Sequence, residues 1–481
     1  MSPPVIQYVV PKEPTILAGR ESVDLPGYDL WLHFVDNVHA FDGSIDIKRF
    51  HDALASTLQM YPHAAGKLCT TGGRWFIQLT NSGLAVEAVD RKKELSTSFI
   101  QGDWVIQDDL SPLLSQPPPD ATIVNGSASL VRFKITAFKD RTILAVSWHH
   151  TLGDAVALFR FMKTLSLFYQ GADPDFSPPT FDKHQYRTPE PSTSSDFLQL
   201  IPHLWFSYPF DELQVKYAEA CEDLENLRWR FHEHHLHALH SMLSVNEVYL
   251  SRHDCLTAYM VTLLNRSMPK PIRMVTNVAN FRRVEAHYIA NNVAGNAIQN
   301  ISTATLPSHM RGIAIAVRES IVRCRDQIFL EDWMAVTSDI MLATANAGKY
   351  FLFASRPNVM TINSNIAIDW CDAHFGFPDS SSFFTTGSSM FYFRPFKSNP
   401  ALLCDGTWRS RKGSVDVSMG VPRDLKTKLV DRLALDFETI LYRSPRDTSE
   451  LQMDADAYGN SVCVGKTPGT SHNTTARCKK S

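Results

Sequence analysis

The segment "SLVRFKITAFKDRTILAVSWHH", residues 129 to 150, alternates apolar and polar side chains in two runs that meet at Lys139-Asp140. Period-two alternation on both sides of a polar turn predicts an antiparallel hairpin. The pattern then changes within four residues. From Asp154 to Gln170 it becomes helical, with Val156, Phe159, Leu165 and Phe168 near one face. Strands and helices mix in this way along the chain without a repeating βα rhythm, so the expected class is α+β.

Upstream, "YDLWLHFVD" alternates like a half-buried strand, and "IDIKRFHDALASTLQMYP" is an amphipathic helix closed by Pro62. "GGRWFIQLT" and "LAVEAVD" are expected to pair as a hairpin. Near residue 183 the composition shifts. "DKHQYRTPEPSTSSD" is polar, proline-bearing and aperiodic, the pattern of a crossover linker. The second half repeats the style of the first. A helix opens at "SRHDCLTAYMVTLLNRS", where Ser251 and Asp254 suit a capping box. "IRMVTNVANF" is a strand, residues 308–345 are helical, and "NVMTINSNI", "SSMFYFRPF", "ALLCDGTWR" and "GSVDVSMG" are strands. "RDLKTKLVDRLALDFETILY" closes the fold as a helix. The expected organisation is a lobe over residues 1–182, a crossover over 183–225, a second lobe over 226–443, and a disordered tail over 444–481.

Composition excludes several classes. The hydrophobic fraction of 44% is ample for a large core, and a formal net charge of -3 gives no general attraction to nucleic acid or anionic lipid. No apolar run is long enough to cross a bilayer. The opening "MSPPVIQYVVPKEPT" lacks a basic region and is broken by prolines, so no signal peptide is expected. Eight scattered cysteines without a CxxC pair fit reduced thiols and a cytoplasmic setting, and no metal site is expected. "FHEHHLHALH" gathers five histidines, but Leu236 stands where an HExxH motif needs its second ligand. A solvated strand-to-helix junction is the simpler reading.

"HHTLGD" carries the chemistry. An apolar strand delivers His149 and His150 at its end, and adjacent strand residues face opposite ways, so only one can face a given cleft. A neutral histidine beside a bound hydroxyl takes its proton as the oxygen attacks an acyl carbon. The alternative is a satisfied strand end with Asp154 as helix N-cap. Four defined positions alone do not choose between them.

Further segments shift the balance. "HHTLGD" resembles the HxxxD signature of the BAHD acyltransferases, which move acyl groups from CoA thioesters to oxygen or nitrogen. "YDLWLHFV" and "FHDALASTLQMYPHAAGKL" resemble that family's first strand and helix, and "SRHDCLTAYM" the start of its second half. "YIANNVAGNAI" resembles its YFGNAI element, "AHFGFP" stands at its DFGWG motif, and "GSVDVSMGVPRDLKTKL" resembles its last strand and helix. The likeness covers roughly residues 25 to 443.

The resemblance implies two chloramphenicol-acetyltransferase-like lobes with mixed sheets flanked by helices, and an active-site tunnel between them. It implies acyl-CoA as co-substrate with no permanently bound cofactor, a small-molecule alcohol or amine as acceptor, no nucleic-acid or membrane partner, and a monomer. His150 is similar to the family's general base. Asp154 would be structural, paired with Arg282 or Arg283 in "NVANFRRV". Asn363 stands where the family has a threonine that donates to the oxyanion. Arg409, Arg411 and Lys412 in "WRSRKGS" are candidates for the CoA phosphates, or else a solvated hairpin tip. The DFGWG position departs from the pattern: His374, Phe375, Gly376, Phe377 and Pro378 replace it, so its usual ion pair is lost. His374 and Gly376 are expected to be structural. Two other classes remain in play. One is a condensation-type enzyme taking acyl groups from carrier proteins, and the other a silent binder that has kept the fold.

Overall fold

The computed structural model describes residues 4–13, 19–96, 110–244, 249–282, 284, 289–354, 356, 358–387 and 389–439. The expected tail over 444–481 and the candidate Arg283 lie outside the described residues.

Two six-stranded mixed sheets organise the chain. The first runs in the order Val5–Val9, Leu84–Arg91, Val131–Phe138, Thr142–His149, Phe34–Phe41 and Ser382–Thr385. Its Leu84–Arg91 and Val131–Phe138 strands are parallel, and the other pairs are antiparallel. The second runs Leu224–Phe231, Val415–Pro422, Tyr392–Lys397, Val359–Ile362, Met274–Asn280 and Ile298–Ala304. There Val359–Ile362 is parallel to both neighbours.

The hairpin predicted at Lys139-Asp140 forms, with Val131 opposite Trp148 and Ala137 opposite Thr142. The pairing of "GGRWFIQLT" with "LAVEAVD" does not. Arg74–Gln78 instead joins a three-stranded sheet with Lys67–Thr71 and Ser22–Asp24, and Leu84–Arg91 enters the main sheet. Both strands are short alternating runs, and neighbourhood in sequence does not choose their partners. The predicted crossover carries helices of its own, at Pro191–Leu198 and Phe210–Cys221.

Helices Ile47–Met60 and Ala155–Gln170 cover one face of the first sheet around Phe50, Leu54, Leu58, Phe161 and Leu165. Helices Glu233–Leu243, Arg252–Ser267, Met310–Arg323 and Arg423–Thr439 share the second core with Trp229, Phe231, Phe393 and Met419. The expected capping box forms at the start of Arg252–Ser267: Ser251 and Asp254 bond reciprocally. The "HEHHLH" run starts a helix too. His232 caps Glu233–Leu243 in a box with His235, and their rings meet edge to face at 5.4 Å. Among the described residues no helix is long and apolar enough to cross a membrane.

Candidate active site

All eight residues of Thr142–His149 are buried, and this rigid strand sets where the two histidines emerge. They part as period two requires. His149 packs edge-on to Phe34 at 4.8 Å and its Nδ1 lies 2.7 Å from the Thr151 hydroxyl. His150 opens a short 3-10 turn, and its ring faces His33 at 5.1 Å and Trp31 at 5.6 Å. Phe353 stacks on Trp31 at 5.1 Å and lies 5.3 Å from the His33 ring.

The His150 backbone is pinned on both sides. Its N–H donates to the His33 carbonyl at 2.8 Å, and its carbonyl accepts from Asn296 Nδ2 at 2.9 Å. Asn296 is held in turn by Asp29, whose Oδ1 accepts from the Asn296 backbone and side chain at 2.7 and 3.0 Å. Lys183 pairs with the other Asp29 oxygen at 3.0 Å and donates to the Ala294 carbonyl at 2.6 Å. Residues from both halves and the crossover therefore fix the backbone that carries this imidazole, whose Nδ1 is buried without a hydrogen-bond partner.

Gly153 makes the close approach possible. Its φ is 145°, and a Cβ there would lie 2.5 Å from Ala157 Cβ and 3.0 Å from the Gly295 backbone. The next residue, Asp154, closes the contact. Its Oδ1 caps the Ala155–Gln170 helix by accepting from Val156 and Ala157 N–H at 3.0 and 3.2 Å. Its Oδ2 accepts from Arg282 Nη1 at 2.6 Å and the Ala297 N–H at 2.8 Å. Arg282 also donates to the Gly295 carbonyl at 3.0 Å. Both reasons to expect Asp154 here, cap and interlobe ion pair, hold at once, and Arg282 is the arginine that reaches it.

Electrostatics follow from burial. Desolvation lowers the pKa of His150 from its ordinary value, with Asp154 and Asn296 opposing. The ring is thus neutral, an acceptor. His33 is lowered further, by burial and then by the neighbouring histidines. Burial alone would raise the Asp154 carboxyl, but Arg282 and the backbone donors hold it below the usual range.

The other predicted residues make no hydrogen bond to His150 among the described residues. Asn363 ends the Val359–Ile362 strand, and its side-chain amide donates to Tyr392 Oη at 2.8 Å. Arg409 pairs with Ala401 in a small hairpin that Trp408 ties to Asp42 at 3.0 Å, and Arg411 and Lys412 follow it. Asp42 follows Phe41, which pairs with Thr142, whereas Phe34 pairs with His149. The basic run therefore sits at the opposite end of that strand from the histidines, roughly 23 Å along it. His374 and Gly376 belong to a turn docked on the first lobe. Phe375 is buried there against Phe41 and Phe50, its N–H donating to Ser166 Oγ at 2.9 Å, and His374 Nδ1 accepts the Gly376 N–H at 3.2 Å. Sequence reasoning missed His33, Trp31, Phe353, Asp29, Lys183 and Asn296. Asn296 lies in the quoted "GNAI", which was its only signal.

A strand-end histidine held between two α+β lobes is the arrangement of the chloramphenicol-acetyltransferase type of fold. A family profile described as "Transferase family" matches residues 22–328, and the chain belongs to that family, the BAHD acyltransferases. Among solved structures it is similar to vinorine synthase, with TM-score 0.60 and 15% identity over 90% of this chain and 97% of that one. It is also similar to TRI101 of F. sporotrichioides, crystallised with coenzyme A and T-2, with TM-score 0.60 and 13% identity over 85% and 97%. Protein ECERIFERUM 2 of Arabidopsis thaliana is 29% identical over 164 residues, and the match spans 37% of that relative's length.

Proposed function

We propose that this protein transfers an acyl group from acyl-CoA to a hydroxyl, in preference to an amine, of a small metabolite, with His150 as general base. The observation that carries this reading is the buried, neutral imidazole of His150 on a backbone pinned at the junction of the lobes. Its ring takes the acceptor proton as the oxygen attacks the thioester carbonyl. The tetrahedral intermediate expels CoA thiolate, which recovers the proton from the imidazolium. Asp154 and Arg282 hold the turn and touch no reacting atom. Asn363 spends one N–H on Tyr392, and its second N–H is the one offered to the oxyanion. Arg409, Arg411 and Lys412 are candidates for distant phosphate contacts only.

The test incubates purified protein with a panel of acyl-CoAs and pooled metabolites, reading free CoA and new acylated masses by mass spectrometry. The expected result is a product mass and CoA release that vanish together in His150→Ala. Turnover unchanged in that variant removes His150 as the base. CoA binding without any turnover indicates a silent binder, and no CoA binding indicates a carrier-protein donor.

A further inference from the structure

The second sheet turns Leu227, Trp229, Phe393, Val417 and Met419 toward its helices. The opposite face carries an unusual row. In register across three strands stand Arg228, Ser418 and Arg394. Arg394 is 5% exposed. It donates Nη1 to the Thr386 carbonyl at 2.7 Å, while its Nε and Nη2 are buried without a partner. Arg228 donates Nη2 to the Thr385 carbonyl at 3.1 Å, and its Nε is likewise buried and unmet. Between them the Ser418 hydroxyl is also buried without a partner.

The carboxylate whose charge reaches Arg228 is Asp416. Asp416, one row along, is already bidentate to Arg230 at 2.6 and 2.8 Å and accepts from Ser398 and the Asn399 backbone. Burying a guanidinium with donors unmet is unfavourable, and placing two together adds repulsion. Burial and the neighbouring Arg394 push Arg228 down to about 9. A cavity of about 30 Å³ opens on the Arg228 and Ser418 side of the row, where Thr385 and Asp416 border it together with the rings of Phe383, Phe384 and Phe396. Tyr392 lies against Arg394 at 5.6 Å and bonds Asn363, so the row adjoins the proposed oxyanion residue.

We infer that Arg228, Ser418 and Arg394 form an oxyanion-binding site that takes a carboxylate or phosphate group of a ligand held between the lobes. The three residues share one face of the sheet, and an oxygen anion there would satisfy several of their unmet donors at once. That the ligand is a substrate or product of acyl transfer rests on the function proposed above. Anion binding does not, and it is measured without turnover.

The probes are malonate and inorganic phosphate, added to the full chain at ionic strength matched with chloride. At least one should raise the melting temperature above the chloride control and bind saturably. Arg394→Met should weaken that binding by at least about tenfold, the loss of one charge-assisted hydrogen bond. Arg394→Lys, which keeps the charge, should retain part of it and guards against misfolding of the methionine variant. No anion-specific stabilisation of the wild type, or equal binding by wild type and Arg394→Met, overturns the site. Titrations with CoA and pantetheine then separate the sources. Loss of CoA binding together with that of the probe in Arg394→Met, with pantetheine binding unchanged, assigns the site to a CoA phosphate. Unchanged CoA binding with lost malonate binding assigns it to an acidic acceptor or acyl chain.

Discussion

Replacing Asp154 with alanine removes four hydrogen bonds at a single carboxylate. The lost helix cap costs about 1 kcal/mol. Stranding Arg282 costs about 3 to 5 kcal/mol, as for any buried ion pair broken from one side. The lower end applies, because Arg282 keeps the Gly295 carbonyl at 3.0 Å. A loss of about 4 kcal/mol follows. A chain of 481 residues has an unfolding entropy near 1 kcal/mol/K, so the melting temperature falls by roughly 4 °C. Asp154→Asn keeps an oxygen for the cap and should lose about half as much. The folded carboxyl titrates below its unfolded value of about 3.9, so its contribution is complete above that value and disappears as pH falls through the lower, folded one. The gap between wild type and Asp154→Ala should therefore be constant from pH 8 to about 5 and close in acid. Calorimetry across that range, with turnover measured at pH 7.5, decides the matter. A variant that melts within about 1 °C of wild type yet loses a thousandfold in rate would refute the clamp. The carboxylate would then act on the chemistry.

Two further outcomes are expected. His39 is fully buried among Phe41, Trp370 and Phe383 with neither ring nitrogen bonded, and burial holds it at about 3. The unfolded chain takes up that proton first, so stability falls as pH drops from about 6.5 toward 3. His39→Leu should raise stability by about 1 to 3 kcal/mol at pH 7.5, and the advantage should widen by about 1.4 kcal/mol at pH 5.5; thermal melts at both values check it, and a destabilised variant contradicts it. Because the His150 pKa is lowered, kcat/KM should be flat above pH 7, with its acid limb below about 6.5. An acid limb at pH 7.5 or higher, in a pH-rate profile, would count against a neutral His150 as the base.

What the sequence disclosed was mostly local. The helix after Asp154, the hairpin before it and the Ser251 box rest on patterns spanning a few residues, and each forms within a residue or two of its expected bounds. Strand partnership was harder. The Arg74–Gln78 strand finds Lys67–Thr71 and Ser22–Asp24, because burial across the whole lobe selects partners that alternation cannot. At the site, Asp154 was legible from its motif, while the choice between two adjacent arginines needed the fold. Trp31, His33 and Phe353 look like ordinary strand and loop residues in sequence; only the packing of Trp31 and His33 on one imidazole, with Phe353 against both of them, gives them a part. The Arg228–Ser418–Arg394 row is invisible in sequence for the same reason: three strands that meet in register lie far apart along the chain.

The Ser382–Thr385 strand has a consequence for how this protein is made. It covers the outer edge of Phe34–Phe41, and Asp42 donates to Ser380 across a separation of 338 residues. Until the ribosome has passed that point, the first sheet presents a bare strand edge with unpaired backbone groups, the template on which aggregation starts. Closing so long a loop is also slow. An emerging chain therefore spends most of its synthesis with its first half unfinished. Cutting the gene in the crossover would yield two fragments, neither owning all six strands of the sheet that carries His150, and only their joint expression would restore it.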